Sequence, residues 1–181
     1  MANIRIETER LILREIEEDD WESVHRYARE PAVGRFLIWG PNTEQQTKNH
    51  VRDLQAFRLE DPRKRAVLGI VIKDSGEFIG GVGLTRLSAD ASEAEVGYSL
   101  HPDHWGRGYA TEAARAMIGL GFGEWRLHRV IARCDPENIG SARVMEKCGM
   151  RREGHFRKCT MCKGEWRDRV LYAILEDEWK T

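Results

Sequence analysis

Two glycines stand where a strand pattern gives way to a helix pattern. Gly106 and Gly108 come just before residues 110–122, in which apolar side chains recur at helical spacing. A helix N-terminus exposes unpaired N–H groups and carries about half a positive charge, and glycines let a ligand approach the backbone closely. With Arg107 between them, the glycines predict a turn that can hold a phosphate or pyrophosphate. A glycine-rich connection that binds nothing is the alternative.

Two other phosphate-binding motifs compete for this segment. The P-loop pattern GxxxxGK[ST] is absent from the sequence. The dinucleotide pattern GxGxxG is nearly met from Gly106, and Asp135 follows at about the distance expected of a ribose-binding acid. However, Thr111 replaces the third glycine, and the flanking strands read as hairpins rather than as repeated βαβ units. A nicotinamide-dinucleotide enzyme is therefore the less favoured interpretation.

Strands are indicated on both sides of the turn by apolar, β-branched segments bounded by turn residues. Asp74 to Glu77 and Lys163-Gly164 each separate two such segments, which predicts a hairpin in the middle of the chain and another near its end. The three glycines at 80, 81 and 83 weaken the strand pattern around them. The predicted strands are 4–16, 66–73, 78–86, 94–100, 128–134, 150–158 and 167–175.

Four helices are predicted from capping residues and apolar spacing. They begin at Asp19 with Glu22 as capping partner and Pro31 as the stop, at Thr43 with Gln46, at 110, and at Asn138 with Gly149 at C′. The order of elements predicts an α/β fold: a single domain over residues 1–181, with a mixed, mostly antiparallel twisted sheet flanked by helices.

The composition argues against several classes of protein. The 181 residues carry a formal net charge of −1, so no global field would hold the protein on nucleic acid or an anionic membrane. No apolar segment approaches the roughly 20 residues that a membrane span requires. The N-terminus lacks the apolar core of a secretory signal. A cytoplasmic protein that binds neither nucleic acid nor membrane is expected.

The four cysteines are too few and too scattered for a disulfide framework, so reduced thiols are expected. Cys159 and Cys162 form a CxxC, and His155 lies four residues before it. Structural zinc normally takes four protein ligands, and a fourth is missing here. No metal site is predicted.

Three segments together resemble a known family. EVGYSLHPDHWGRGYATEA at 95–113 resembles the acetyl-CoA-binding motif of GNAT N-acetyltransferases, and NIGSARVMEKCGM at 138–150 is similar to the next motif of that family. KGEWRD at 163–168, followed by Tyr172, resembles the C-terminus of its RimJ/RimL-like branch. The pairing of the first two motifs is more specific than either alone. The resemblance covers nearly the whole chain and implies the GNAT-like acyl-CoA N-acyltransferase fold.

The resemblance implies acetyl-CoA as co-substrate. Trp105 stands where many relatives have Gln or Arg and is expected to contribute main chain. The implied donors of backbone N–H groups to the coenzyme A pyrophosphate are Gly106, Arg107, Gly108, Tyr109 and Ala110.

The resemblance also implies a place for the pantetheine arm. Strand 94–100 is expected to splay from strand 128–134, and the arm would pair with backbone of the first strand near Ser99, Leu100 and His101. Asn138 would hold the arm and Ser141 would lie near the sulfur. Their alternative roles are a helix N-cap and a surface residue at N3.

The implied acetyl transfer requires an amine that attacks the thioester directly. Glu95 is the candidate general base because it lies on the strand that lines the implied acyl site; Glu93, Asp168 and His155 are rivals. Many family members place a tyrosine acid four residues before the glycine that ends the last helix. This sequence has Met145 there. The resemblance to the RimJ/RimL-like branch implies Ser141 as the donor to the departing thiolate instead, and departure of the thiolate without an acid is the alternative.

The acceptor is left open by the sequence. Branch resemblance points to a protein N-terminal α-amine of the ribosomal type, and a small amine is the alternative. The acidic segment at 15–20 either favours a cationic acceptor or caps a helix. A non-catalytic acyl-CoA-binding or sensor module is the competing function, and a homodimer is a family-level expectation.

Overall fold

The computed structural model describes residues 3–60, 62–87 and 92–180. Eight strands within these ranges form one sheet: β1 (Arg5–Glu7), β2 (Leu11–Glu15), β3 (Arg65–Ile72), β4 (Phe78–Arg86), β5 (Glu93–Leu100), β6 (Arg129–Cys134), β7 (Arg151–Cys162) and β8 (Glu165–Leu175). Their order in the sheet is β1-β2-β3-β4-β5-β6-β8-β7. The β5–β6 pair is parallel and the other pairs are antiparallel. This confirms the predicted mixed, mostly antiparallel α/β sheet.

Five helices lie on the two faces of the sheet: α1 (Trp21–Ala28), α2 (Pro31–Gly34), α3 (Glu44–Arg58), α4 (Tyr109–Gly123) and α5 (Ile139–Lys147). Met117 and Ile118 of α4 pack into the larger core with Leu68 and Leu84 of the sheet. The smaller core, on the opposite face, is formed by α1 and α3 against β3 and β4. The sheet is therefore covered on both faces, as its largely apolar central strands require.

The predicted strand 4–16 is wrong as one strand, because a tight turn divides it. Leu11 N–H donates to Thr8 Oγ1 (3.0 Å), and Thr8 N–H donates to the carbonyl of Leu11 (3.0 Å). The chain thereby reverses, and β1 pairs antiparallel with β2. Alternating side chains predicted extended backbone on both sides, but they gave no sign of the reversal between them.

The first helix also begins differently from its prediction. The capping partners are Glu17 and Asp20, since Glu17 N–H donates to Asp20 Oδ2 (2.7 Å), and a short 3-10 turn, Glu18–Asp20, precedes α1. Arg14 holds Asp20 at 2.6 Å and so favours it over Asp19 as the capping acid. Pro31 does not simply stop a helix but opens α2, at the position where its missing N–H costs nothing.

Other local predictions are confirmed. Thr43 and Gln46 cap α3 reciprocally, with N–H to side-chain oxygen distances of 2.8 and 3.3 Å. Gly149 follows α5 in the left-handed region at φ +84°. Lys163 and Gly164, both with positive φ, connect β7 to β8 in the two-residue turn that their sequence predicted.

The parallel β5–β6 pair is the feature that positions the site. Although β5 is eight residues long, its registered pairs with β6 run only from Glu93↔Arg129 to Glu95↔Ile131. Beyond Glu95 the two strands diverge, which is the splay that the family resemblance implied.

Gly80 of β4 allows the backbones of β4 and β5 to approach each other closely. A Cβ at Gly80 would lie 2.8 Å from Leu100 Cα and closer still to the carbonyl oxygen of Ser99. Both atoms belong to backbone, so the contact cannot be relieved by a side-chain rotation. The glycine that weakened the sequence prediction is thus required by the packing.

We expect Gly80→Ala to lower the free energy of unfolding by about 1–3 kcal/mol, because the added methyl group overpacks the β4–β5 pair. Urea denaturation followed by circular dichroism measures the change. Gly97→Ala, in β5 with no atom within 4 Å of the added Cβ, is the matched control and should change stability little. Equal losses in both variants would contradict the close-approach explanation.

Candidate functional site

The phosphate turn predicted from the sequence lies between β5 and α4. After β5 comes a 3-10 turn, Pro102–His104, and Gly108 is the N-cap of α4. Gly106 and Gly108 have φ values of +75° and +83°, a region that side-chain-bearing residues enter only at a cost. The first N–H groups of α4 face outward from its N-terminus as a potential anion site. The strand–turn–helix context of the motif is confirmed.

Trp105 has a side-chain role that sequence reasoning missed. Its indole N–H donates to the carbonyl oxygen of Leu100 (2.8 Å), while about half of the residue remains exposed. The contact ties the turn to the last residue of β5. Only main chain was expected of this position, and the contact partner could not be read from sequence because it depends on how the turn folds back.

His104 anchors the other side of the turn. It is buried, and its Nε2 lies 3.3 Å from Glu77 Oε1, which Arg26 of α1 also holds at 2.7 Å. The hydrogen bond from Arg26 is the main cause that lowers the pKa of Glu77. The turn is therefore connected to the β3–β4 turn and to α1, on the opposite side of the sheet from α4.

Tyr98 and Ser141 meet across the gap between the diverging strands. Tyr98 Oη donates to the carbonyl of Ser141 (3.0 Å) and lies 3.1 Å from Ser141 Oγ. Burial raises the pKa of Tyr98, so the phenol stays protonated at neutral pH. Tyr98 lies on the same face of β5 as the buried Val96 and Leu100, and its partner on α5 is 43 residues away in sequence. The structure thus brings the predicted Ser141 to the gap and adds Tyr98 to it.

Cys134 ends β6 on the same side of the gap. Burial raises the pKa of Cys134 to about 11, although a hydrogen bond with Ser141 acts in the opposite direction. The thiol is therefore protonated at neutral pH and contributes no charge to the site.

Asn138 is a helix cap. Its Oδ1 accepts a hydrogen bond from Ser141 N–H (3.1 Å), which satisfies an unpaired donor at the start of α5. The local alternative that the sequence offered is therefore present. Contact of Asn138 with a pantetheine arm stays a prediction.

Glu95 lies where β5 and β6 separate, facing away from α4. Both of its carboxylate oxygens bind Arg133: Oε1 lies 3.1 Å from Nε and Oε2 lies 2.5 Å from Nη2. This hydrogen bond is the main cause that raises the pKa of Arg133. The ion pair orients the Glu95 carboxylate through both of its oxygens. Its catalytic role stays a prediction.

The three rivals of Glu95 are also held in ion pairs. Glu93 lies 2.9 Å from Arg129 on the same face of β5. His155 and Asp168 pair at 2.6 Å on the β7–β8 hairpin, where both are partly exposed. A backbone hydrogen bond from Lys158 is the main cause that lowers the pKa of Asp168, followed by the bond from His155. None of them lies at the divergence point itself.

A cavity of about 300 Å³ opens beside Glu95 and Arg133, between the sheet and the β7–β8 hairpin. The hairpin tip docks on the end of α2 and the loop after it: Cys162 Sγ lies 3.1 Å from the carbonyl of Leu37, and Lys163 Nζ lies 2.5 Å from that of Gly34. The cavity is a candidate acceptor site. Its lining includes Glu93, Ile131, Arg133, Phe156, Thr160 and Leu171.

The acidic segment at 15–20 is neutralised within the protein. Glu15 is 4% exposed and lies 2.8 Å from Arg63 and 3.1 Å from Arg58. Asp20 is held by Arg14. These internal partners cancel much of the charge that could draw a cationic acceptor, and they favour the structural interpretation of the segment.

Asp135 is engaged in a way that removes it as a ribose ligand. It is 2% exposed; its Oδ2 lies 2.9 Å from Arg167 Nε and 3.5 Å from Arg169 Nη1, and its Oδ1 accepts from Glu137 N–H (2.9 Å). The dinucleotide interpretation needed a free acid at this strand end. The sheet order and the buried ion pair both oppose that interpretation.

Within the residues that the structure describes, no group of three or more His, Cys, Asp or Glu side chains is arranged to hold a metal ion. The CxxC is divided between two environments, since Cys159 is exposed and Cys162 is buried against the loop after α2. In the same part of the chain, no helix is both long and apolar enough to cross a membrane.

Comparisons with known proteins agree with this geometry. The acetyltransferase (GNAT) domain family matches residues 10–151. YnaD of Bacillus subtilis (strain 168), named as an uncharacterized N-acetyltransferase, is 39% identical over 176 residues, which are 97% of this chain and 99% of that protein. The chain therefore belongs to the GNAT acetyltransferase family and is an N-acyltransferase of that class.

Two solved structures show the same fold. A GNAT-family acetyltransferase from Bacillus anthracis superimposes with a TM-score of 0.86 at 38% identity, covering 96% of this chain and 99% of that one. The ribosomal-protein-S5-alanine acetyltransferase from Vibrio fischeri gives a TM-score of 0.84 at 24% identity, with coverage of 98% and 100%. The second likeness concerns the fold alone.

We expect Asp135→Asn to destabilise the protein by about 3 kcal/mol, because it leaves the buried Arg169 without its counter-charge. Glu137→Gln is the matched control: Glu137 pairs with Arg167 at the surface, and losing that pair should cost less than about 1 kcal/mol. Urea denaturation of both variants measures the difference. Similar small losses would show that Asp135 does not compensate a buried charge.

Proposed function

We propose that the protein uses acetyl-CoA and transfers the acetyl group to a primary amine by direct attack. The observation that carries the proposal is the juxtaposition of two features. The phosphate turn with left-handed Gly106 and Gly108 opens α4, and the β5–β6 gap, which begins after Glu95, extends along β5 toward that turn. An anion site and an adjacent strand edge without a registered partner suit a pyrophosphate followed by an extended amide-bearing arm.

The residues at these features fit coenzyme A. The pyrophosphate would be held by N–H groups of the turn and of the first residues of α4, from Gly106 to Ala110. The pantetheine arm would lie along β5 near Ser99 and His101. When bound, acetyl-CoA supplies an acetyl group activated as a thioester. Asn138 and Ser141, at the start of α5, are placed on the far side of the gap.

The attacking amine must be neutral, and its own pKa decides how much help it needs. An α-amine has a pKa near 8, so about a tenth is neutral at pH 7, whereas a lysine side chain near 10.4 is almost wholly protonated. Glu95 is the proposed base, directly or through a water molecule. Arg133 orients the carboxylate through both oxygens.

Ser141 is the proposed donor to the leaving sulfur. Tyr98 holds Ser141 in place, because the phenol donates to the Ser141 carbonyl (3.0 Å) and lies 3.1 Å from its hydroxyl oxygen. The thiolate of a model thiol has a pKa near 8.5, so hydrogen-bond stabilisation is sufficient and a strong acid is not required. Met145, buried where many relatives carry a tyrosine, cannot take this role.

The acceptor is proposed to be a protein N-terminal α-amine or a small amine. The ribosomal-protein-S5-alanine acetyltransferase from Vibrio fischeri shares the fold, which supports the first. The cavity between the sheet and the hairpin has room for a few residues or a small molecule. We propose a cytoplasmic location, since four scattered cysteines are too few for a disulfide framework and suit a reducing compartment.

Gly108→Ala should weaken acetyl-CoA binding at least about tenfold, because a side chain at φ +83° strains the backbone whose N–H groups bind the phosphate. Isothermal titration calorimetry measures the affinity, with NADH as the control ligand. Gly76→Ala is the matched control variant, since Gly76 is also left-handed, at φ +70°, but lies in the β3–β4 turn. Failure of the wild-type protein to bind acetyl-CoA, or a preference for NADH, would refute the proposal.

Glu95→Gln should lower the rate of acetylation of a lysine-type amine by about 100-fold, and that of an α-amine less, because a general base matters more for the more basic amine. Thiol release across pH 6–10 measures both rates. Glu93→Gln, which alters the neighbouring carboxylate on the same face of β5, should have a smaller effect. Unchanged rates in Glu95→Gln would exclude Glu95 as the base. Binding without turnover of any amine would favour the acyl-CoA sensor.

A further inference from the structure

Arg10 lies on the β1–β2 turn, yet its guanidinium reaches the phosphate turn 97 residues further along the chain. Arg10 Nη1 donates to the carbonyl oxygen of Arg107 (3.0 Å), and the guanidinium carbon lies 4.7 Å above the ring centroid of Tyr109. Its Nη2 would be 3.3 Å from a Cβ placed on Gly108. The side chain therefore lies directly against the backbone of the turn.

Glu112 fixes the position of this arginine. Arg10 Nε lies 2.7 Å from Glu112 Oε2, and both Arg10 N–H (2.8 Å) and Thr8 Oγ1 (2.6 Å) donate to Oε1. The Glu112 side chain is only 16% exposed. Because this carboxylate neutralises Arg10, the guanidinium adds little long-range field to the turn. Its remaining effect is local and acts through the hydrogen bond to Arg107.

That hydrogen bond controls one peptide unit. The carbonyl of Arg107 and the N–H of Gly108 belong to the same planar trans peptide, so they point in opposite directions. A donor that holds the carbonyl on one side consequently aims the N–H to the other side. Donation to the carbonyl also polarises the amide and makes its N–H a stronger donor.

We propose that Arg10 is a positioning residue for coenzyme A: it orients and polarises the Arg107–Gly108 peptide so that the Gly108 N–H binds the pyrophosphate. This inference rests on the proposed function of the turn. Arg10 acts from the side opposite the ligand and does not touch it. The effect is confined to ligands that carry the pyrophosphate.

The test compares acetyl-CoA with S-acetylpantetheine, which has the same thioester and arm but lacks the pyrophosphate. Arg10→Met keeps an apolar side chain over Tyr109 and removes every side-chain hydrogen-bond donor of residue 10. We expect the KM for acetyl-CoA to rise about tenfold, the loss typical of one charge-assisted hydrogen bond. The KM for S-acetylpantetheine should be unchanged, and so should the kcat with either thioester. Arg5→Met, on the same hairpin in an exposed pair with Glu7, is the control.

Two outcomes would overturn the inference. If Arg10→Met raised the KM for both thioesters equally, or lowered kcat alone, Arg10 would be a general structural support. Arg10→Lys retains a single charged donor group, the ammonium, and should give an intermediate KM for acetyl-CoA. It keeps the inference testable if the methionine variant misfolds. Calorimetry on the wild-type protein separates the two proposals, because absent coenzyme A binding would refute the proposed function itself.

Discussion

The loss of pairing between two parallel strands shapes the whole molecule. β5 and β6 share three registered pairs and then separate, which leaves the β5 edge open in the middle of the sheet. An open edge inside a sheet exposes N–H and C=O groups that must find partners. The turn after β5 supplies one of these partners, since the Trp105 indole N–H donates a hydrogen bond to the Leu100 carbonyl. A ligand with amide groups along its length is a natural partner for the rest.

The two sides of this gap are held by different means. β5 is fixed against β4 by seven registered pairs and by the close approach at Gly80. β6 is held on its other side by antiparallel pairing with β8 along its whole length. Between them, Tyr98 and Ser141 form a side-chain bridge on the face that carries α4 and α5. The gap is therefore bounded by rigid strands, so its width does not depend on a mobile loop.

Local signals in the sequence were sufficient for most elements and for the phosphate turn. Reciprocal capping at Thr43 and Gln46, the bounds of β4 and the Lys163-Gly164 turn each depend on residues a few positions apart, and each was predicted. The divided first strand and the Glu17–Asp20 cap were not. The cap was decided by Arg14, which lies six residues before Asp20 and outside the capping pattern itself. The side-chain partners of Glu95, Ser141 and Asp135 lie 32 to 43 residues away in sequence, and only the assembled sheet brings them together.

The docking of the β7–β8 hairpin on the loop after α2 has an evolutionary consequence. Cys162 and Lys163 both contact main-chain carbonyls, those of Leu37 and Gly34. Every residue type offers a carbonyl, so the contact with residue 37 does not depend on its side chain. Gly34 is more constrained, because a Cβ there would lie 3.0 Å from the backbone of Gly40. Since residues of the hairpin line the candidate acceptor cavity, a lineage can vary the supporting loop and still keep that cavity in place. The glycines of the turn and the β5–β6 separation need not change while it does so.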